Sequence, residues 1–237
     1  MNIRDDMFAY LSHWLGTPIR LFTGEASTLP PLWRDYASDD MMVRRAALQR
    51  ELADVEAYFP ETMRRLAQIA LDALVVETGR SEVLRVIVYE LGGQQYYAYS
   101  ASPLKQQTAA DIWKLFQAHA PQVMSWLYRE RMNGLTDVYG FAGFKSLAEM
   151  TSMAEEINTY GEADWYEEFA ARHDTRLMVE ILSTGGGAYL LLDLSCGQSQ
   201  AEDPDGWMVY MKENRPPEKV GFFPYLDALM AIGLTDA

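Results

Sequence analysis

The stretch Ser183-Thr-Gly-Gly-Gly-Ala-Tyr-Leu-Leu-Leu-Asp193, STGGGAYLLLD, decides between two kinds of fold. Three glycines beside an apolar run either cradle a phosphate ahead of a helix or reverse the chain between two strands. A Walker-type phosphate loop needs a lysine and a hydroxyl residue after its last glycine, then a helix whose amides face the anion. Here the glycines lead into Ala188-Tyr189-Leu190, a strand-forming run with no lysine after it. A dinucleotide fingerprint requires a helix at the same place. Both tests fail. The glycines are therefore read as a turn with positive backbone angles between the strands LMVEIL and AYLLLDL.

Downstream of this hairpin, WMVYM at 207–211 reads as a third strand after the turn DPDG, and FFPYLDALMAIG as a closing helix with Leu226 and Leu229 inward. Upstream, Thr108 caps a helix through DIWKLFQAHA, and Pro121 opens another through QVMSWLYRERM that ends at Asn133-Gly134. In that second helix Trp126 and Leu127 are expected inward and Arg129, Glu130 and Arg131 toward water. Ser146 with Glu149 has capping-box spacing and predicts a helix over about 147–158. DWYEEFAARH, from Asp164, is a short helical or irregular run. Nearer the start, Met7, Leu11 and Trp14 recur at helical spacing up to Gly16, and TPIRLFTGEASTLPPLW reads as a loop. A helix is expected from Asp40 to Tyr58, where good helix formers surround Met41, Leu48, Leu52 and Val55. Pro60 opens a second, predicted to run through FPETMRRLAQIALDALVVET to a stop at Gly79. Strand formers on both sides of Gly92-Gly93 predict a hairpin.

SPLKQQT at 102–108 marks the expected domain boundary. It divides a mainly helical N-terminal region with one β-hairpin, residues 1–107, from an α+β domain over 108–237. The expected fold class is α+β, with a mixed or antiparallel sheet flanked by helices.

The chain has 237 residues, 49% of them hydrophobic, enough for a sizeable core. The opening MNIRDDMFAYLSHWLG, with Asp5 and Asp6 ahead of an interrupted apolar stretch, is unlike a signal peptide, and no window reaches the length of a membrane span. A single cysteine, Cys196, leaves no internal disulfide, which fits a reducing cytoplasm. The formal net charge is −14. Residues 1–107 carry 11 basic and 14 acidic side chains, a balance of −3, whereas 108–237 carry 9 and 20, a balance of −11. Such a surface repels phosphate backbones and excludes nucleic acid as a partner of the second half. It serves either solubility or steering toward a basic partner.

Catalytic patterns fail one by one. Gly197-Gln198-Ser199-Gln200-Ala201 is one residue away from a nucleophile elbow, but EDPDG stands where the helix belongs, and no histidine follows His173. Asp203-Pro-Asp205-Gly206 lacks the further oxygen ligands of a calcium loop and reads as a turn. His13, His119 and His173 are too scattered for a metal site, and no cofactor is expected. A small enzyme assembled in space around Cys196 and His173 stays open as an alternative, as does a structural interaction module. The densest acidic stretch holds Glu149, Glu155, Glu156, Glu162, Asp164, Glu167 and Glu168, interleaved with Tyr160, Trp165 and Tyr166. It reads either as a solvated face or as a partner-binding surface, in which Glu155, Glu156, Tyr160, Glu162, Asp164, Trp165, Tyr166, Glu167 and Glu168 are the candidate contacts.

WLYRERMNG (126–134), GFKSLAEM (143–150), GGGAYLLLDLS (185–195), WMVYM and VGFFPYLDALMAIG (220–233) follow one another as in the SUKH superfamily, which residues 108–237 resemble. Asn133-Gly134, Gly186-Gly187 and Asp193 fall where that family keeps an NG pair, a glycine turn and a strand aspartate. The resemblance implies an α+β fold and a non-enzymatic role. Similar proteins are immunity factors that block toxins passed between bacteria, and fungal relatives help regulate cell-wall synthesis. The expected partner is then a protein, a basic toxin domain, with neither nucleic acid nor membrane involved.

Overall fold

The computed structural model describes residues 3–103, 111–137, 143–195, 197 and 203–235. Two antiparallel sheets with flanking helices make the fold α+β. The first sheet takes its strands in chain order: β1 (Ile19–Leu21), β2 (Ala70–Thr78), β3 (Val83–Leu91), β4 (Gln94–Ala101), β5 (Asn133–Asp137) and β6 (Gly143–Phe144). The second contains β7 (Met178–Ser183), β8 (Ala188–Asp193), β9 (Asp205–Tyr210) and β10 (Arg215–Gly221), laid out in the order β10-β9-β8-β7. The helices are α1 (Ile3–Leu15), α2 (Met41–Val55), α3 (Pro60–Ile69), α4 (Asp111–His119), α5 (Gln122–Trp126), α6 (Ile157–Tyr160), α7 (Tyr166–Ala170) and α8 (Phe222–Gly233). Among the described residues, no helix is long and apolar enough to cross a membrane.

Strand alternation sends side chains to opposite faces of each sheet. On the first sheet, Leu74, Val76, Leu84, Val86, Val88 and Tyr97 pack against Met7 and Leu11 of α1, while Ala73, Val75, Ile87, Tyr89 and Ala98 join the central core. On the second, Val179, Ile181, Leu190, Leu192 and Met208 enter that same core, and Met178, Leu191 and Val209 point the other way into a separate cluster. The central core is continuous from Leu29 to Leu234. Within it Phe59 meets Phe144 at 5.9 Å and Phe223 at 5.7 Å between ring centroids. β5 pairs with β4 through Ala98–Asp137 and Tyr99–Thr136. Sheet and core thus both cross the boundary expected between residues 107 and 108.

The glycine hairpin forms as expected: Gly185 and Gly187 take φ of +68° and +85°, and the Thr184 amide donates to the Ala188 carbonyl at 3.0 Å. Three expectations need correction. The helix from Pro60 stops at Ile69, and LDALVVET, expected as its continuation, is part of β2. The four consecutive residues 73–76 are apolar and buried on alternating faces, Ala73 and Val75 on one and Leu74 and Val76 on the other, which an amphipathic helix cannot arrange. Among its described residues the N-terminal region consequently holds four strands, not one hairpin, with Gly79 in a turn. Met41 is exposed, and α2 turns Ala47, Leu48, Leu52 and Val55 to the core. No long helix spans 147–158: the Ser146–Glu149 hydrogen bonds exist, but residues 147–149 form only a turn. The sequence reading also missed β1 and β10.

α3 has phenylalanine at its N-cap, which offers no side-chain acceptor. Asp227 of α8, 6% exposed, fills that role from across the core. Its carboxylate accepts from the amides of Glu61 (3.0 Å) and Thr62 (2.9 Å), and the Thr62 hydroxyl donates to the Asp227 carbonyl at 3.0 Å. Asp227→Ala is expected to cost about 1–2 kcal/mol, the range for a lost helix cap, read as a lower urea midpoint. An unchanged midpoint would refute the role assigned to this carboxylate.

Candidate functional site

The candidate site covers the outer face of the second sheet. Thr151 and Met153 give their backbone groups to the free edge of β7: the Met153 amide donates to Met178 O at 2.8 Å, and the Glu180 amide to Thr151 O at 2.9 Å. This edge pairing competes with helix formation and explains why the capping-box spacing at Ser146 opens no helix. Glu155 accepts from the Ser152 amide (2.7 Å) and hydroxyl (3.0 Å), tightening the turn that follows.

From there the chain drops Met153, Tyr160, Trp165 and Phe169 onto Met178, Leu191 and Val209. Tyr160 is fully buried, and its hydroxyl donates to Glu180 Oε2 at 2.8 Å, while Lys145 Nζ meets Glu180 Oε1 at 2.6 Å. Trp165 is 6% exposed and lies edge-on to Phe169 at 5.9 Å. The two residues expected as aromatic surface anchors, Tyr160 and Trp165, are therefore core residues, drawn in because a bare sheet face needs an apolar cover. Tyr166 and Glu156 are half-buried. The remaining candidates, Glu155, Glu162, Asp164, Glu167 and Glu168, are exposed, forced outward by what is buried beneath them. Asp164 accepts from Asn214 Nδ2 at 2.7 Å, and Glu168 pairs with Arg172 one turn on.

Beside this acidic segment lies a groove of about 280 Å³, lined by Trp165, Glu168, Phe169, Arg172, His173, Trp207, Pro216 and Pro217. The His173 ring sits 4.5 Å from Phe169 and 4.8 Å from Trp207, and the Phe169 and Trp207 rings meet edge-on at 5.1 Å. Asp193, 6% exposed, accepts from the Trp207 indole nitrogen at 2.9 Å and from the Ser195 amide at 2.9 Å, which fixes the indole at the end of β8. The Trp165 indole nitrogen is buried and has no hydrogen-bond partner among the described residues. Sequence reasoning missed Phe169, His173, Trp207, Pro216 and Pro217 as a group. The available signal was the pair of prolines after WMVYM, which are confined to an edge strand because they cannot donate to a ladder.

Chemistry elsewhere is sparse. A cavity of about 470 Å³ is lined by residues that include Thr78, Arg80, Glu82, Tyr99, Asn133 and Glu149, and its described lining holds neither histidine nor cysteine. Among the described residues, no group of three or more His, Cys, Asp or Glu is placed to hold a metal ion. Cys196 and Ser199 lie outside the described residues, and His173 is packed among aromatic rings. The chain matches no protein-family model, no curated protein and no solved structure.

Burial, reinforced by Glu180, raises the Tyr160 hydroxyl far above the ordinary phenol range, and burial does the same for Tyr36 and Tyr128. A raised folded-state value means that only the unfolded chain releases these protons as pH passes about 10. Stability is then complete below that point and falls above it. Tyr160→Phe should flatten the decline by about 1 kcal/mol over the interval from about pH 10 to 11 in urea titrations, approaching one proton's worth above it. An identical slope in the variant would refute the burial assigned to the Tyr160 hydroxyl.

Proposed function

We propose that the chain is a non-enzymatic, cytoplasmic binding protein that engages a basic protein partner through the carboxylates of residues 155–168. We propose further that residues 108–237 form a SUKH-like domain acting as an immunity protein against a basic toxin. One observation carries the reading. From Met153 to Ala171 there are six carboxylates and no Lys or Arg, and five of the six are exposed above a packed aromatic cluster. A surface of this kind raises encounter rates with a cationic partner and rejects anionic ones.

Three local features support the family resemblance. Gly134 takes a φ of +81° against the Ser146 backbone, where a side chain would collide, so the NG pair forms a tight corner into β5. Asn133, 5% exposed, accepts from the Leu147 amide at 2.8 Å and locks that corner. The glycine turn joins β7 to β8, and Asp193 closes β8 by holding Trp207. A toxin that cleaves nucleic acid is basic where it meets its substrate, and an acidic surface is the complement of such a site.

The expected neighbour of the coding sequence is a large secreted protein ending in a basic, toxin-like domain. Calorimetric titration of that domain into this chain should lose at least tenfold in affinity between about 0.05 and 0.5 M salt, because exposed charges are screened over that range. Joint replacement of Glu162, Asp164 and Glu167 by lysine should abolish binding while leaving the thermal transition in place. Salt-independent affinity would sink the electrostatic reading.

A further inference from the structure

The aromatic groove next to the carboxylates has a composition that the acidic segment alone does not explain. We propose that it receives one arginine or lysine side chain of the basic partner, as the anchor of the interface; this rests on the binding function proposed above. Its volume, about 280 Å³, falls just below the range of about 300–1,000 Å³ typical of small-molecule sites and suits a single side chain. Phe169, His173 and Trp207 stand with centroids 4.5 to 5.1 Å apart, and Pro216 and Pro217 complete an apolar lining. Aromatic faces attract cations, and an apolar lining takes the aliphatic stem that carries the charge.

Charge selects the same occupant. Glu168 is part of the lining, with Glu167 beside it, and Arg172, the one Lys or Arg in the described lining, is already matched by Glu168. Both members of that pair are about 70% exposed, so the contact is loose and exchangeable. A partner cation can take Glu168 from Arg172, whereas a partner anion would meet Glu167 and Glu168. The receptor side is preorganised: Asp193 holds the Trp207 ring, and the two prolines fix their own backbone angles.

The test uses the full chain labelled with 15N and follows its tryptophan indole signals during titration with acetyl-arginine N-methylamide and with the uncharged citrulline analogue. The arginine probe should shift the Trp165 and Trp207 signals, both rings being part of the lining, saturably. The citrulline probe should bind about five-fold more weakly, the scale of a cation over aromatic rings. Glu168→Gln should weaken the arginine probe, and Arg172→Gln should strengthen it by removing the competing charge. Unmoved signals, equal binding of the two probes, or loss of binding in Arg172→Gln would each overturn the proposal, the last in favour of an anion site. Deca-arginine, titrated into the chain and into the Glu162, Asp164 and Glu167 lysine variant, separates the two readings. Binding that the variant abolishes, with both indoles unmoved, sinks the groove and spares the acidic face; no binding at all sinks both.

Discussion

The carboxylate of Asp227 is the contact on which the arrangement of the rest depends. It closes the N-terminus of α3, sixty residues into the chain, from a helix that lies at the chain's far end. α8 in turn covers the inner face of the second sheet with Phe222, Leu226 and Met230. The outer face of that sheet is what carries the acidic segment and the groove. A helix N-terminus left without an acceptor costs free energy, so α3 and α8 have one favourable relative position. The placement of a surface near residue 165 is thereby tied to residues near 60.

How much of this was legible in the sequence differs element by element. The glycine hairpin was readable because positive φ at Gly185 and Gly187 is a local requirement with few alternative solutions. Pro60 and Asp40 were readable as helix starts for similarly local reasons. The change from α3 to β2 at Ala70 was not, because LAQIALDAL is made of good helix formers and only pairing with β3 decides the matter. Ser146 and Glu149 mislead in another way. Their mutual hydrogen bonds form, but the Thr151 carbonyl and the Met153 amide that follow are claimed by the edge of β7, a strand much later in the chain. Carboxylate positions on the candidate site were legible from polarity alone. The burial of Tyr160 and Trp165 was not, since the short turns that carry them have no period to read.

A similar blindness applies to charge inside the core. Strand alternation puts Arg85 on the same face of β3 as Ile87 and Tyr89, a position that sequence alone would assign to an apolar residue. The structure supplies its partners: Arg85 Nη1 meets the Glu51 carboxylate, Nη2 donates to Ser100 Oγ at 2.6 Å, and Tyr36 donates to Glu51 Oε2 at 2.7 Å. Burial opposes the charge on Arg85, and Glu51 and Tyr36 together outweigh it, leaving the guanidinium more firmly protonated than in water. An ion pair of this kind adds little over an apolar pair, but losing one partner costs about 3–5 kcal/mol. It therefore discriminates against any other docking of α2 on the first sheet.

The same economy of burial explains the outer face of the second sheet. Met178, Leu191 and Val209 would face water unless a segment covered them, and the covering segment is short, so each of its inward positions must be large and apolar. What remains for its outward positions is polar by necessity, but polarity alone does not require one sign of charge. Mixed charges would solubilise the segment equally well and would attract rather than repel one another. Six carboxylates without an intervening cation raise the free energy of the folded chain, and the half that carries them is already at −11. A cationic partner relieves that repulsion on contact, and solvent does so only by screening. Solubility accounts for the polarity of this face; the basic partner proposed above would account for its sign.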